Sequence, residues 1–360
     1  MSKIISIGTA VPAYRHRQED ILPFMQRIYA GDSQASRKLK HLYRQSGIES
    51  RYSVIPDYTL PAADWEFYPP TENLEPFPSL EQRMSIYRRH AAPLSVAAVR
   101  DCLQGKLEVR AITHLITVSC TGMSAPGLDL ELADALGLPV TLFRTSVNFM
   151  GCYAAVHALK LADALAGSDP GARVLVVCTE LCTLHFQQEP TVDNMLSSLL
   201  FADGSAAVLV TADNYPGGGL KIKGFYSEIV PGGKDEMGWH LSSTGFRMTL
   251  SNYVTDLIEA DFGGLVGRVL QRGGLEQDSI GHWCIHPGGK KILDAIAKSL
   301  SLRNGQLDDS YAILGAYGNM SSPTILFVLR RMMSRPDPGR ILGAAFGPGL
   351  TMETFIAETN

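Results

Sequence analysis

Short uninterrupted apolar runs, each of strand length, set the pattern of this 360-residue chain. Residues 4–7, Ile-Ile-Ser-Ile, run into Gly8-Thr9-Ala10-Val11-Pro12 and predict a buried strand closed by a turn. Residues 114–120 and 173–178 are runs of the same type, and between them residues 152–166 carry Ala, Val and Leu at helical spacing. Strand, crossover, helix and strand in that order predict a sheet with both faces covered. The second half repeats the theme, with strands at residues 280–286, 340–346 and 351–358 and helices at 289–302 and 323–333. Helical spacing also runs through residues 80–103, where Pro93 is expected to interrupt or restart the helix.

Residues 56–78 hold six prolines together with Trp65, Phe67 and Tyr68. Such a density of aromatics is foreign to a solvated linker, and the segment reads as an ordered surface excursion. Residues 216–219 and Pro231-Gly232-Gly233 mark a loop-rich seam. The chain thus reads as two related α/β halves, residues 1–215 and 216–360, with a reaction centre at their junction.

With 45% hydrophobic and 19% charged residues, the chain has the material for a large core. A formal net charge of -4, with no basic block interleaved with aromatics, argues against nucleic acid as a partner. No secretory signal and no apolar run of membrane-spanning length stands out, which points to a cytoplasmic protein. The six cysteines (Cys102, Cys120, Cys152, Cys178, Cys182 and Cys284) are dispersed through apolar segments, so reduced, buried thiols are expected. Residues 178–185 contain two cysteines and a histidine, but their spacing matches no common zinc pattern and no metal is expected.

Three short runs carry chemistry: Gly151-Cys152, His286-Pro287-Gly288-Gly289 and Gly318-Asn319-Met320-Ser321-Ser322. A helix beginning at Cys152 would aim its free amides and positive dipole end at the sulfur and lower the thiol pKa. A lone cysteine is ordinarily an inert core residue, a lone histidine a structural one, and a lone asparagine a turn residue. Taken together, however, they supply a thioester nucleophile, its proton partner and an amide donor for a developing oxyanion or enolate. That set suits acyl transfer followed by carbon–carbon bond formation.

These runs, with Leu200-Phe201-Ala202-Asp203-Gly204 and the stretch from Phe346-Gly347-Pro348-Gly349 to Thr354, resemble the signature runs of the type III polyketide synthases, the chalcone and stilbene synthase superfamily. The resemblance covers essentially the whole chain and implies a thiolase-like five-layered αβαβα sandwich, a homodimer, CoA thioesters as substrates and no cofactor. It implies that Cys152 carries the acyl chain, with His286 as its ion-pair partner and Asn319 as second donor for decarboxylation. Phe201 matches the gatekeeping phenylalanine between the CoA tunnel and the cavity.

Other positions follow from the same resemblance. Cys120, Thr121, Cys182, His185, Trp239, Met248, Ser321, Gly347 and Pro348 fall at substrate-facing positions, and Ala125 falls at the dimer interface. Cys120 is typical of bacterial members, whereas plant enzymes place a glycine at Trp239, a phenylalanine at Met248 and a methionine at Ala125. Lys38 matches a CoA-binding lysine; His41 and Gln45 stand where two further basic residues are usual, with Arg44, Lys290 and Lys291 as the available replacements.

The bacterial pattern implies iterative condensation of malonyl-CoA onto an aliphatic or fatty acyl-CoA starter, closing to a pyrone or resorcinol-type product. Its rivals are a malonyl-CoA-primed synthase making a naphthalene or phloroglucinol-type product, and an initiating ketoacyl-ACP synthase. A catalytically silent scaffold is disfavoured because the cysteine, histidine and asparagine are all retained.

Overall fold

A computed structural model of the chain describes residues 2–251, 253–336 and 339–359. In chain order, the first half contains β1 (Ser2–Ala10), β2 (Tyr14–Arg17), α1 (Gln18–Tyr29), α2 (Ser33–Gln45), β3 (Ser50–Ser53), α3 (Leu80–Leu103) and β4 (His114–Ser119). It continues through α4 (Leu128–Leu136), β5 (Phe143–Asn148), α5 (Ala154–Ser168), β6 (Arg173–Leu181), α6 (Val192–Leu200) and β7 (Asp203–Ala212). The second half opens with β8 (Leu220–Ile229), β9 (Met237–Ser242), β10 (Gly245–Leu250), α7 (Tyr253–Gly273) and β11 (His282–Ile285). It closes with α8 (Lys290–Ser299), α9 (Asp308–Tyr317), α10 (Thr324–Met333), β12 (Arg340–Gly347) and β13 (Thr351–Thr359).

Among the described residues the main strands hydrogen-bond in the order β11-β12-β13-β8-β1-β7-β6-β4-β5. The order contains a duplication. In the first half β4 runs parallel to β6, β6 antiparallel to β7 and β7 antiparallel to β1. In the second, β11 runs parallel to β12, β12 antiparallel to β13 and β13 antiparallel to β8. The equivalent strands β1 and β8 meet through two residue pairs, Lys3 with Lys221 and Ile4 with Leu220.

Strand periodicity sorts the side chains into layers. Along β6, Val174, Val176 and Cys178 face a central cluster with α5 and α10, whereas Leu175 and Val177 face an outer cluster with α1 and α3. Along β12, Ile341 and Ala345 join the same central cluster, whereas Leu342, Ala344 and Phe346 face α7 and α8. Helix, sheet, helix, sheet, helix is the layer sequence that results. Each fully buried Val or Leu contributes about 1.5–3 kcal/mol, which is why these strands are apolar on both faces.

Helix α3 departs from expectation. It runs unbroken through Pro93, which sits exposed on its outer side, while Ala91, Leu94, Ala98, Val99 and Cys102 pack inward. Its start is fixed by a capping box between Ser79 and Gln82. A Cβ on Gly8 would lie 2.1 Å from the Cys102 backbone nitrogen, so β1 and α3 are pressed together over that turn and tertiary packing carries the helix past the proline.

The excursion at residues 56–78 is ordered, as expected, but its aromatics reach the core. Tyr58 and Tyr68 are buried and cluster with Phe24 and Phe186. The buried Asp57 carboxylate accepts the backbone N–H groups of Glu66, Phe67 and Tyr68 at 3.0, 2.9 and 2.7 Å.

Candidate active site

Cys152 lies in the turn that leads into α5, which begins at Ala154 and not at the cysteine itself. Gly151 adopts φ 80°, and a Cβ there would lie 2.2 Å from the Pro348 ring. A Cβ on Gly347 would lie 2.5 Å from the Tyr153 ring. Gly347 at the end of β12 and Pro348 just after it therefore press on the Cys152 turn, and only glycine lets the two halves approach this closely.

His286 follows β11, anchored by its backbone N–H to the Ala344 carbonyl at 2.9 Å. Its ring is buried, and neither ring nitrogen has a hydrogen-bond partner in the protein. Asn319 sits between α9 and α10, where its backbone N–H donates to Leu200 and its carbonyl accepts from Ala202, both at 2.9 Å. That bridge brings Phe201 alongside Asn319. The Asn319 side-chain oxygen accepts from the Ser321 N–H at 2.8 Å, and Nδ2 makes a long 3.4 Å contact to the Gly288 carbonyl. Most of the amide's donor capacity is free for a ligand.

Cys152, His286, Asn319 and Phe201 line one cavity of about 1040 Å³, counting the solvent at its mouth. The same cavity is lined by Gln45, Ser46, Lys290 and Lys291, of which Gln45 and the two lysines are exposed. Phe201 and Met248 also border a second, smaller space, whose walls include Cys182, His185 and Trp239. These two side chains stand between the chambers.

Burial governs the charges here. It pushes the Cys152 thiol up to about 11; the 3.5 Å contact with the Ser321 hydroxyl works against that rise and the Glu180 charge adds to it. Burial also pulls the His286 imidazole down to about 3. The expected depression of the thiol is not found: burial outweighs the groups that favour the thiolate, and the helix begins two residues beyond the cysteine. Burial thus favours the neutral form of each group, and a neutral imidazole keeps one nitrogen lone pair for a proton or hydrogen bond.

Several other positions form the wall behind Cys152. The Cys120 sulfur accepts the Gly151 N–H at 3.1 Å, next to Cys152. Trp239 Nε1 donates to the Cys120 carbonyl at 2.7 Å. His185 Nδ1 accepts the Phe246 N–H at 3.0 Å, which places the proton on Nε2, where it donates to the Thr121 carbonyl at 2.7 Å. His185 stacks on Phe246, with ring centroids 4.2 Å apart, and burial holds its pKa near 3. These two rings and Trp239 make a rigid aromatic floor.

Sequence reasoning passed over Glu180 as a functional position. Its carboxylate is buried behind Cys152 and accepts from the Cys120 N–H, the Thr121 hydroxyl and the Ser322 hydroxyl at 2.7–2.8 Å. Burial raises it to about 7 despite those donors. The available signal was an acid following directly on the apolar run 174–178 with only Thr179 between.

The basic residues divide. Lys291 lines the cavity, Lys290 does so while paired with Asp294, and Lys38 is exposed on α2 one turn before Leu42. Arg44 instead lines a separate surface groove with Arg15, Arg17 and Lys40. Ala125 is exposed, close in sequence to Met123 and to α4. Among the described residues, no group of three or more His, Cys, Asp or Glu is arranged to hold a metal ion, and no helix is long and apolar enough to cross a membrane.

The model for chalcone and stilbene synthases, N-terminal domain, matches residues 1–214, and that for the C-terminal domain matches residues 221–359. The chain belongs to the chalcone and stilbene synthase family. It is a type III polyketide synthase with a thiolase-like fold, an acyl-transferring enzyme of a family that uses CoA thioesters without a resident cofactor. Over 370 residues it is 29% identical to the 1,3,6,8-tetrahydroxynaphthalene synthase of Streptomyces peucetius subsp. caesius, covering 99% of this chain and 92% of that one. It is 30% identical over 366 residues to probable polyketide synthase 1 of Dictyostelium discoideum, covering 98% of this chain but spanning only 11% of that protein's length. The crystal structure of PKS-I from the brown alga Ectocarpus siliculosus superposes with a TM-score of 0.93 at 29% identity, covering 100% of this synthase and 98% of that chain.

Proposed function

We propose that this synthase loads an aliphatic acyl group from CoA onto Cys152, extends it with malonyl-CoA and closes the product to a pyrone or resorcinol-type ring. The observation that carries this reading is the convergence, in one cavity, of the Cys152 thiol from the first half of the chain with Asn319 and His286 from the second, the His286 ring nitrogens having no protein partner. His286 accepts the thiol proton as Cys152 attacks the starter thioester. The His286 ring and the Asn319 amide then hold the malonyl thioester carbonyl while carbon dioxide leaves. The resulting enolate attacks the Cys152 thioester, and the lengthened chain returns to the sulfur.

The second space beyond Phe201 and Met248 supports an aliphatic starter, since a growing chain needs room past the gate. The floor of Trp239, His185 and Phe246 favours a second reading, malonyl-CoA-primed synthesis, because three locked rings leave little slack for a bulky starter. Product profiling with malonyl-CoA and acyl-CoAs of increasing length separates the two. Activity rising through medium chain lengths supports the aliphatic starter, and full activity with malonyl-CoA alone overturns it. The reaction is assigned to the cytoplasm, where CoA thioesters are made, with residues 1–215 and 216–360 as the two halves that close on the site.

A further inference from the structure

The chamber beyond Phe201 and Met248 holds a charge that the chemistry at Cys152 does not use. Arg51, on β3, lines it together with Tyr58, Thr183, Asn194, Ser197 and Ser198. Arg51 is 5% exposed, and burial opposes its charge. Its Nε donates to the Gln18 side-chain oxygen at 2.9 Å and its Nη1 to the Phe201 carbonyl. A Cβ on Gly318 would lie 2.9 Å from Arg51 Cγ, so the stem is clamped from the turn that carries Asn319. Among the described residues Nη2 has no hydrogen-bond acceptor and the guanidinium no ion-pair partner. Asp203, the acid that bears on Arg51 through space, spends its carboxylate on the Val54 N–H and on the Thr183 N–H and hydroxyl, at 2.7–2.8 Å. The hydroxyls around the chamber are engaged as well: Ser197 donates to the Asp193 carbonyl, Ser198 to that of Met195 and Tyr58 to that of Thr183. A guanidinium buried without a counter-charge is costly, and one that lines a cavity is complementary to an anion brought in from outside.

We infer that the aliphatic starter ends in a carboxylate: the synthase takes the CoA monothioester of a dicarboxylic acid, whose free acid pairs with Arg51 while its thioester reaches Cys152. The inference narrows the aliphatic reading of the starter and rests on acyl loading at Cys152. Two features select this occupant. Arg51 and Cys152 line opposite sides of the Phe201 gate, so a group held by the guanidinium is the end of the chain remote from the sulfur. Extension inserts each new unit next to the sulfur, which makes the starter's far end, and not the newer keto groups, the part carried deepest into the chamber. A methyl end would leave the guanidinium unpaired, whereas a carboxylate takes charge-assisted hydrogen bonds from it.

The test compares kcat/KM for matched pairs of CoA thioesters, a fatty acyl group and the dicarboxylic monothioester of the same carbon count, from succinyl to dodecanedioyl. Malonyl-CoA is the extender, and intact-protein mass spectrometry follows labelling of Cys152. In the wild type the carboxylate-ended member should be preferred at least tenfold at the length that spans the gate, as expected where a buried donor is otherwise left unpaired. In Arg51→Met that ratio should fall at least tenfold; both members are measured on the same protein, so the ratio is free of any loss of folded enzyme. A wild type without the preference at any length overturns the inference, whether or not the variant folds. A variant that keeps the wild-type ratio overturns it as well, and one that keeps the ratio but releases shorter products assigns Arg51 to the oxygens of the growing polyketide instead. Failure of both series to label Cys152 overturns the acyl-loading reading itself.

Discussion

Cys152 and His286 owe their chemistry to where the chain buries them. Burial opposes a charge on either group taken singly, so a thiolate at Cys152 depends on the imidazole that takes its proton. Replacing His286 by Gln should therefore move the pH profile of Cys152 carbamidomethylation upward, by about one pH unit or more. An unchanged profile would show that the two groups do not communicate. Glu180 yields a separate pH signature. Its folded pKa of about 7 lies above the ordinary 4.5, so the native state holds the proton that the unfolded chain releases. The resulting contribution to stability is complete below about pH 4.5 and is lost as pH rises to about 7, a change of up to about 3 kcal/mol. Urea unfolding of Glu180→Gln should lack this component between pH 5 and 8, and parallel curves for wild type and variant would refute it.

The elements show where sequence patterns succeed and where they fail. Strands such as β4, β6 and β12 stand out because an apolar run between turn residues has few other uses. The 21-residue α7 passed unnoticed since Gly263, Gly264 and Gly267 dilute its helical signal. In the fold Gly263 has a reason: a Cβ there would lie 3.1 Å from the Ser299 carbonyl at the end of α8. Helix α3 teaches the opposite lesson, because a local rule about Pro93 yielded to packing against β1, β6 and β7. Pro93 is exposed and contributes no hydrogen bond, so Pro93→Ala should raise stability by about 1 kcal/mol, seen as a higher urea midpoint at unchanged slope. A lower midpoint would mean that the proline's stiffness in the unfolded chain outweighs its cost in the helix.

At the scale of the whole molecule, β5 is an edge strand. Phe143 on it and Val140 just before it are strongly exposed, with Met123 and Leu130 also open to solvent. We propose that this edge pairs with another copy of itself, as the dimer implied by the family resemblance would require. Phe143→Lys should shift the sedimentation coefficient from dimer toward monomer, whereas a wild-type monomer at micromolar concentration would remove the basis for the proposal. The sequence by itself determined the duplicated α/β plan and the family, and it singled out Cys152, His286, Asn319 and Phe201 as candidates, because short signature runs and apolar periodicity are local properties. Only the tertiary structure decided that α5 starts beyond the cysteine, that both reactive groups are pushed toward neutrality, that Glu180 stands behind them and that Arg44 lines a separate surface groove. Burial and charge environment are sums over neighbours far apart in the chain, and such sums exist only once the two halves have closed on each other.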